Sequence, residues 1–479
     1  MTTTWSAMVA ARVGARDPAV VYPDGSSWTL DELLTRGASA AVWLDDQGAE
    51  RGRPVPALVP AARSSFALLC AGAGSERPLA PLSARFTVPE LTACVLDLGP
   101  TVILASPDAR AVAEEVGART KLPVAVVPED FTSPGRELDM DPPGDATVVV
   151  LHTSGTTGAP KPVYQRQAPM AKRVPRSAGP MQLGPGSRFA TASAFHHQAG
   201  AGMLLVAIGV GATLVPLANF SPDTWTELSP LGVTHATVVP ALIEAALAAD
   251  VLALPTLEWI LYGSSPLHPD TARRLLEEFP NIRLVQNLGQ TEGGPITTLY
   301  HEDHVQALEH APHRLRSVGR PTEGTELRIE DADDSGIGEI CSRADHYFLT
   351  DADGWLRTGD LGYQDDDGFV YLVARKQDVI NRGGDKVYPA EVELVIASHP
   401  DVREAAVVGI SDRRLGSVPH AWIVPADPSN PPSPNELFAY ARAQLAGFKV
   451  PRDWHITDEL PRNPAGKLLR HALAPDADD

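Results

Sequence analysis

The sequence predicts an α/β protein: a large N-terminal domain of layered α/β sheets with a small β-rich sub-domain, then a small α+β C-terminal domain. Three observations lead there. At 479 residues the chain exceeds what one ordinary core organises, so two or three sub-domains are expected. The N-terminal third, and again residues 180 to 375, alternate helical and strand-like pieces, the pattern of parallel sheets with covering helices. From Gly319 the texture changes to short strands with Gly/Asp turns such as Asp365-Asp366-Asp367-Gly368, and a compact unit of ordinary domain size follows Ala374-Arg375-Lys376-Gln377-Asp378. The expected domains are therefore 1–375 and 376–479.

Taken in order, Trp28-Thr29-Leu30-Asp31-Glu32-Leu33 opens a helix, with Thr29 as N-cap and Glu32 completing an S/T-x-x-E box. A second helix is expected from Val88 to Leu98, and Val102-Ile103-Leu104 is a short strand ended by Ser106-Pro107. Pro128 to Thr147 is acidic, rich in Pro and Gly, and reads as a surface connection. The β-branched run Ala146-Thr147-Val148-Val149-Val150 is a buried strand. Ala199 to Ala218 is nearly unbroken apolar sequence of bilayer length. Its glycines, Pro216 and missing Lys/Arg or aromatic flanks predict instead a buried helix followed by a buried strand. Arg283 to Leu288 is a strand feeding the polar turn Gly289 to Gly294, and Pro425 to Pro434 is an exposed loop before a helix starting near Asn435.

Composition is that of a globular protein, 43% apolar and 21% charged. A formal charge of -20 argues against nucleic acid or anionic membrane as partner, because phosphate surfaces need a basic footprint, while small anions can still be held by local lysines and arginines. Cys70, Cys94 and Cys341 have neither metal-ligand nor disulfide spacing, and the first residues lack the basic-then-apolar order of a signal peptide. A reducing cytoplasm is the expected setting.

Chemistry concentrates where the strand ends, at Leu151-His152-Thr153-Ser154-Gly155-Thr156-Thr157-Gly158-Ala159-Pro160-Lys161-Pro162-Val163. Gly155 and Gly158 let backbone approach a ligand, the hydroxyls of Thr153, Ser154, Thr156 and Thr157 can donate to oxyanions, and Lys161 adds a mobile charge. Those are the parts of a phosphate cradle. It is not the common P-loop, since Ala159-Pro160 separate Gly158 from the lysine. The segment resembles the signature loop of the adenylate-forming superfamily, T-S-G-T-T-G-x-P-K-G, which includes acyl- and aryl-CoA synthetases, luciferases and peptide-synthetase adenylation domains. It departs at Pro162, where glycine is usual.

Further segments resemble the same superfamily in order, so that the matches span 151 to 470. Asn287-Leu288-Gly289-Gln290-Thr291-Glu292 is similar to Y-G-x-T-E, which implies Glu292 as ligand of Mg²⁺, Thr291 on the α-phosphate, and Asn287, Leu288 and Gly289 along the nucleotide. Leu288 stands where an aromatic residue usually stacks on adenine. Leu261-Tyr262-Gly263-Ser264-Ser265-Pro266-Leu267 resembles a G-G-A/E-P-L turn, whose small Gly263, Ser264 and Ser265 would let the base lie flat. Leu356-Arg357-Thr358-Gly359-Asp360 resembles the T-G-D motif, with Asp360 as ribose clamp and Arg375 as its partner. Ala374 to Glu393 resembles the hinge and following loop of small-acid and aryl CoA synthetases. Gln377 falls at the pivot, with Gly383, Gly384 and Lys449 on the thiol side. Leu460 to Arg470 resembles P-R-x-x-x-G-K-x-x-R, which makes Lys467 the catalytic lysine. Phe195-His196-His197 resembles the aromatic-His segment between acid pocket and thiol tunnel. His196 would gate or line it, and His197, Tyr262, Gly289 and Ile296 would wall the acid pocket.

The resemblance implies an ATP-dependent, Mg²⁺-assisted enzyme that turns a carboxylic acid into an acyl-adenylate, releases pyrophosphate and passes the acyl group to CoA. A mobile C-terminal domain would turn about Gln377 between the two steps. The Gly-Gly-x-x-Val-Tyr-Pro form and compact length favour small aromatic or short-chain acids. Alternatives are transfer to a carrier-protein thiol or an amine, and a non-catalytic nucleotide-binding relative, the last motivated by Pro162 and Leu288.

Overall fold

The computed structural model describes residues 3–153, 160–191, 193–217, 221–264, 267–462 and 468–473. The chain divides into two compact units, Met1–Glu326 with Ser342–Leu356, and Leu327–Cys341 with Arg357–Asp479. Most of the small β-rich region is thus grouped with the C-terminal segment.

The first unit holds two sheets. A six-stranded sheet places Val124–Val126, Ile103–Ala105, Val55–Leu58, Leu79–Pro81 and Thr147–Thr153 (β1) in parallel, and closes with Lys161–Arg166 (β2) antiparallel at its edge. Val148, Val149, Val150 and Leu151 are all fully buried, as expected of a parallel strand covered on both faces. Helix Gln167–Ala178 (α1) follows β2 directly. In the nine-stranded sheet, Trp259–Gly263 (β3) and Arg283–Gln290 (β4) run parallel, and Gly294–Leu299 (β5) returns antiparallel to β4. Trp5, Phe66, Phe189 and Leu205 belong to one large core, and Trp225, Ile243, Tyr262 and Leu275 to a second.

Local chemistry explains where the helices begin. Thr29 and Glu32 form a reciprocal capping box on Leu30–Asp46, and Thr87 with Glu90 does the same for Val88–Leu98, each cap worth about 1 kcal/mol. The apolar stretch after residue 198 forms one π-helical turn, Gln198–Gly202, then helix Met203–Val210 and strand Thr213–Pro216, nearly all buried. Among the described residues no helix is long and apolar enough to cross a membrane.

The connection from Pro128 to Thr147 is more than a surface loop. Phe131 and Leu138 are buried in the large core, and a Cβ on Gly135 would lie 2.6 Å from the backbone of Ala38 and Ser39. Arg36 and Asp130 pair at 3.0 Å beside it. Two scattered apolar residues in a Pro/Gly-rich context carry no periodicity, which is why the sequence hides this anchoring.

The second unit carries a four-stranded sheet that includes Leu356–Gln364 (β6) and Val370–Arg375 (β7), paired antiparallel. Ile380–Arg382 (β8) and Asp385–Val387 (β9) form a short hairpin, followed by helix Pro389–Ala397 (α2) and the long hairpin of Val402–Asp412 (β10) and Gly416–Pro425 (β11). Helix Pro434–Gln444 starts from a Ser433–Glu436 capping box. Ile380, Val392, Val407, Ile423 and Leu437 make this unit's own core.

Candidate functional site

The hydroxyl-rich stretch is the connection of a hairpin. Thr153 ends β1 opposite Lys161, which begins β2, and His152 faces Pro162. Ser154, Gly155, Thr156, Thr157 and Gly158 lie outside the described residues, as do Ser265 and Lys467. Pro162 is tolerated because β2 is an edge strand, with no further ladder on its outer side among the described residues. Farther along β2, the fully buried Gln165 reaches out of the sheet, and its Nε2 donates to the Thr291 carbonyl at 3.4 Å.

Thr291 and Glu292 sit half-buried at the tip of the β4–β5 hairpin. Strand β4 runs to Gln290, two positions beyond the expected end at Leu288, with a register shift between Leu288 and Gly289. The tip is fixed from behind: the Glu292 carbonyl accepts from the N–H groups of Phe348 at 2.8 Å and Leu349 at 3.2 Å. Among the described residues the Glu292 carboxylate has no cationic partner. Gly263 pairs with Asn287 at the carboxyl ends of β3 and β4, and a Cβ on Gly263 would come 2.6 Å from the Asn287 carbonyl. Ser264 follows with φ +69°, a left-handed turn. Gly263, Ser264, Asn287, Leu288 and Gly289 are therefore neighbours at one sheet end, where open α/β sheets bind ligands.

Tyr262 is the correction. Expected as a pocket wall, it is 1% exposed within the second core, its hydroxyl donating to Gln286 Oε1 at 3.2 Å and sharing a 2.8 Å bond with His304 Nε2. Alternation along β3 sends its side chain to the helix-covered face. Ile296 is likewise fully buried on β5. His196 and His197 do come together, with ring centroids 4.1 Å apart and Phe86 6.1 Å from His196. Burial, deepened by His197, Arg85 and His152, pushes His196 down to about 3, and burial lowers His197 as well. Burial thus disfavours the charged form of both rings, which suits a lining role more than proton transfer.

In the second unit Asp360 and Arg375 stand directly opposite on β6 and β7, with Arg375 Nε 2.7 Å from Asp360 Oδ1. Arg375 also donates to the Thr358 carbonyl at 3.3 Å, so the guanidinium is oriented along the T-G-D turn. Gln377 lies in the short turn Lys376–Asp378. Gly383 and Gly384 have φ of 63° and 103° and form the two-residue turn between β8 and β9, a place where both central residues need positive φ. Lys449 Nζ contacts both oxygens of Glu391, at 2.6 and 2.8 Å.

Sequence reading gave two arginines no role, Arg470, which it noted only as the end of a motif, and Arg173. Arg470 Nη2 lies 2.9 Å from Glu393 Oε2, its Nη1 donates to the Val407 carbonyl at 2.8 Å, and its Nε lies 3.4 Å from Asp378. Arg173 on α1 is 2% exposed, and burial lowers its guanidinium to about 9. Its position among Met170, Val174 and Ser177 at helical spacing was the available signal, obscured by the neighbouring Lys172 and Arg176. Among the described residues no His, Cys, Asp and Glu cluster of metal-binding form occurs.

The chain matches the AMP-binding enzyme family over residues 8–350 and the AMP-binding enzyme C-terminal domain over residues 391–467. It belongs to the AMP-binding enzyme family. This AMP-binding enzyme is 36% identical over 349 residues to 2-succinylbenzoate–CoA ligase of Bacillus licheniformis, covering 69% of this chain and 70% of the relative. It is 31% identical over 491 residues to fatty acid–[acyl-carrier-protein] ligase of Streptomyces coeruleorubidus, covering 95% and 92%. Its fold matches O-succinylbenzoate coenzyme A synthetase from Bacillus subtilis, solved in complex with ATP and magnesium ion, with a TM-score of 0.86, 27% identity and coverage of 98% and 99%. The adenylate-forming resemblance and the α/β architecture expected from the motifs both hold.

Proposed function

We propose that this AMP-binding enzyme activates a small aromatic or short-chain carboxylic acid with ATP and transfers the acyl group to CoA. The observation that carries this is the bond from Gln165 to the Thr291 carbonyl, which ties the strand leaving the phosphate cradle to the Thr-Glu hairpin tip. Phosphate-binding and carboxylate chemistry are thereby linked within one unit.

A substrate carboxylate oxygen attacks the α-phosphorus, the bond to the bridging oxygen breaks, and pyrophosphate leaves. A thiolate sulfur then attacks the acyl carbonyl, the acyl–phosphate C–O bond breaks and AMP leaves, the thiol proton passing to solvent. Orientation and charge neutralisation carry the first step. In our reading Lys161 and the hydroxyls of 153 to 157 hold the β- and γ-phosphates, Thr291 the α-phosphate, Asp360 with Arg375 the ribose, and Lys467 the charge of the transition state. Glu292 fits Mg²⁺: it is an oxygen donor at a fixed turn, partly exposed and free of a cation among the described residues. When bound, the ion would neutralise phosphate charge. Gln377 is our pivot between the half-reactions, Gly383, Gly384 and Lys449 serve the thiol side, and His196 and His197 line the path between acid and thiol. Three free, buried cysteines support a reducing cytoplasm as the setting.

Pyrophosphate release across a panel of carboxylic acids tests the reading, with acid-dependent release expected; a protein that binds ATP but releases none with any acid would be a non-catalytic relative. A carrier-protein acceptor is the second reading, favoured by the identity to an acyl-carrier-protein ligase over 95% of the chain. Thioester formation with free CoA, compared with a carrier protein, separates the two.

A further inference from the structure

One buried carboxyl group brackets the Asp360–Arg375 pair. Glu339, on the strand Gly338–Arg343 beside β6, is 5% exposed. Its Oε1 accepts from the N–H of Gly359, the residue before Asp360, at 3.2 Å. Its Oε2 accepts from Nζ of Lys376, the residue after Arg375, at 2.7 Å, with Arg357 Nη1 3.5 Å away. A carboxyl group taken out of water needs donors on its oxygens, and here they come from both strands of the β6–β7 hairpin and from the turn that follows it.

The same strand holds the T-G-D turn at a second point. Thr358 Oγ1 donates to the Ile340 carbonyl at 2.6 Å and accepts from the Asp360 N–H at 3.0 Å. Gly359 between them has φ 70°, in the left-handed region, and offers its N–H to the Glu339 side chain. Asp360 and Arg375 are thus set against each other by their own 2.7 Å contact, and set against the rest of the sheet by Glu339. Recognition of a ribose diol needs its acceptors held to about 0.5 Å, which a hairpin end supported on one strand alone does not give. We infer that Glu339 is the positioning residue of the ribose clamp and that Lys376 acts through it. The inference rests on the assignment of Asp360 with Arg375 to the ribose, and extends the clamp to two side chains behind it.

The test titrates the full-length enzyme calorimetrically, with Mg²⁺ and no acid, using ATP and 2′,3′-dideoxy-ATP, which lacks both ribose hydroxyls. The wild type should bind ATP about tenfold or more tightly than the analogue, as hydrogen bonds to a charged acceptor allow. Lys376→Met, which leaves Gly359, Asp360 and Arg375 in the sequence, should weaken ATP about fivefold, the lower end of coupling between sites, and leave the analogue within about twofold. Glu339→Gln should do the same, and the double variant should add nothing further, since both act through one contact. Lys376→Arg, which keeps a charged donor, should restore most of the ATP affinity. If Glu339→Gln does not fold, the two Lys376 variants decide, that side chain being 57% exposed. Both nucleotides weakened alike, or no change with Lys376→Met, overturns the inference and leaves the ribose assignment standing. A wild type that does not distinguish the two nucleotides, or binds neither, overturns the ribose assignment and the inference together.

Discussion

Replacing Arg470 with methionine should weaken the segment that carries Lys467 and slow adenylation selectively. The guanidinium meets Glu393 on α2, the Val407 carbonyl on β10 and Asp378 beside the proposed pivot, while the Glu393 Oε1 also accepts from the Val407 N–H at 2.7 Å. Side-chain exposures of 23% for Arg470 and 17% for Glu393 make this a partly buried pair. Breaking a buried pair costs about 3–5 kcal/mol, and the partial exposure here places the loss near the lower figure, about 3 kcal/mol. Calorimetry should show the melting temperature lowered by roughly 10 °C. Because Arg470 touches structure and not substrate, it is a positioning residue, and the functional readout must discriminate. Pyrophosphate release should fall about tenfold or more, while thioester formation from supplied acyl-adenylate changes less than threefold. A cycle with Glu393→Gln should return a coupling of about 1.5 kcal/mol or more. An unchanged melting temperature, or equal loss of both steps, would refute the reasoning.

Other consequences can be measured directly. His235, His304 and His346 are buried, and burial lowers each to about 4. The unfolded chain takes up these protons near 6.5 and the folded one does not, so stability is full above that pH and falls as pH drops toward 4. Denaturant unfolding at pH 5 should lose on the order of 2 kcal/mol per histidine relative to pH 7, and a flat profile would contradict their burial in neutral form. Gly384→Ala places a Cβ at φ 103° and should cost roughly 1–2 kcal/mol in unfolding free energy while slowing thioester formation more than pyrophosphate release. Lys467→Ala should abolish pyrophosphate release and spare thioester formation from supplied adenylate; loss of both alike would remove Lys467 from its assigned step.

What could be read from sequence was what local rules determine. The Thr29 box and the helix Val88–Leu98 were legible because capping chemistry is local, and the Asp360–Arg375 partnership because motif spacing places both on one hairpin. Strand β2 was not legible: its inward positions are Val163 and Gln165, and a buried amide spoils the apolar alternation that signals a strand. Tyr262 was misassigned because its neighbours in the motif do approach the sheet end, whereas pleating turns every second side chain to the opposite face. Arg173 escaped because a Lys-Arg pair on a helix ordinarily marks a solvated face, and only tertiary packing reveals that one of the two is buried.

The central claim is that this chain makes an acyl-adenylate, and ATP–pyrophosphate exchange without any thiol measures that step alone. Exchange that appears only when a carboxylic acid and Mg²⁺ are both present is the predicted result. Exchange independent of acid, or none with any acid while ATP still binds, would contradict it.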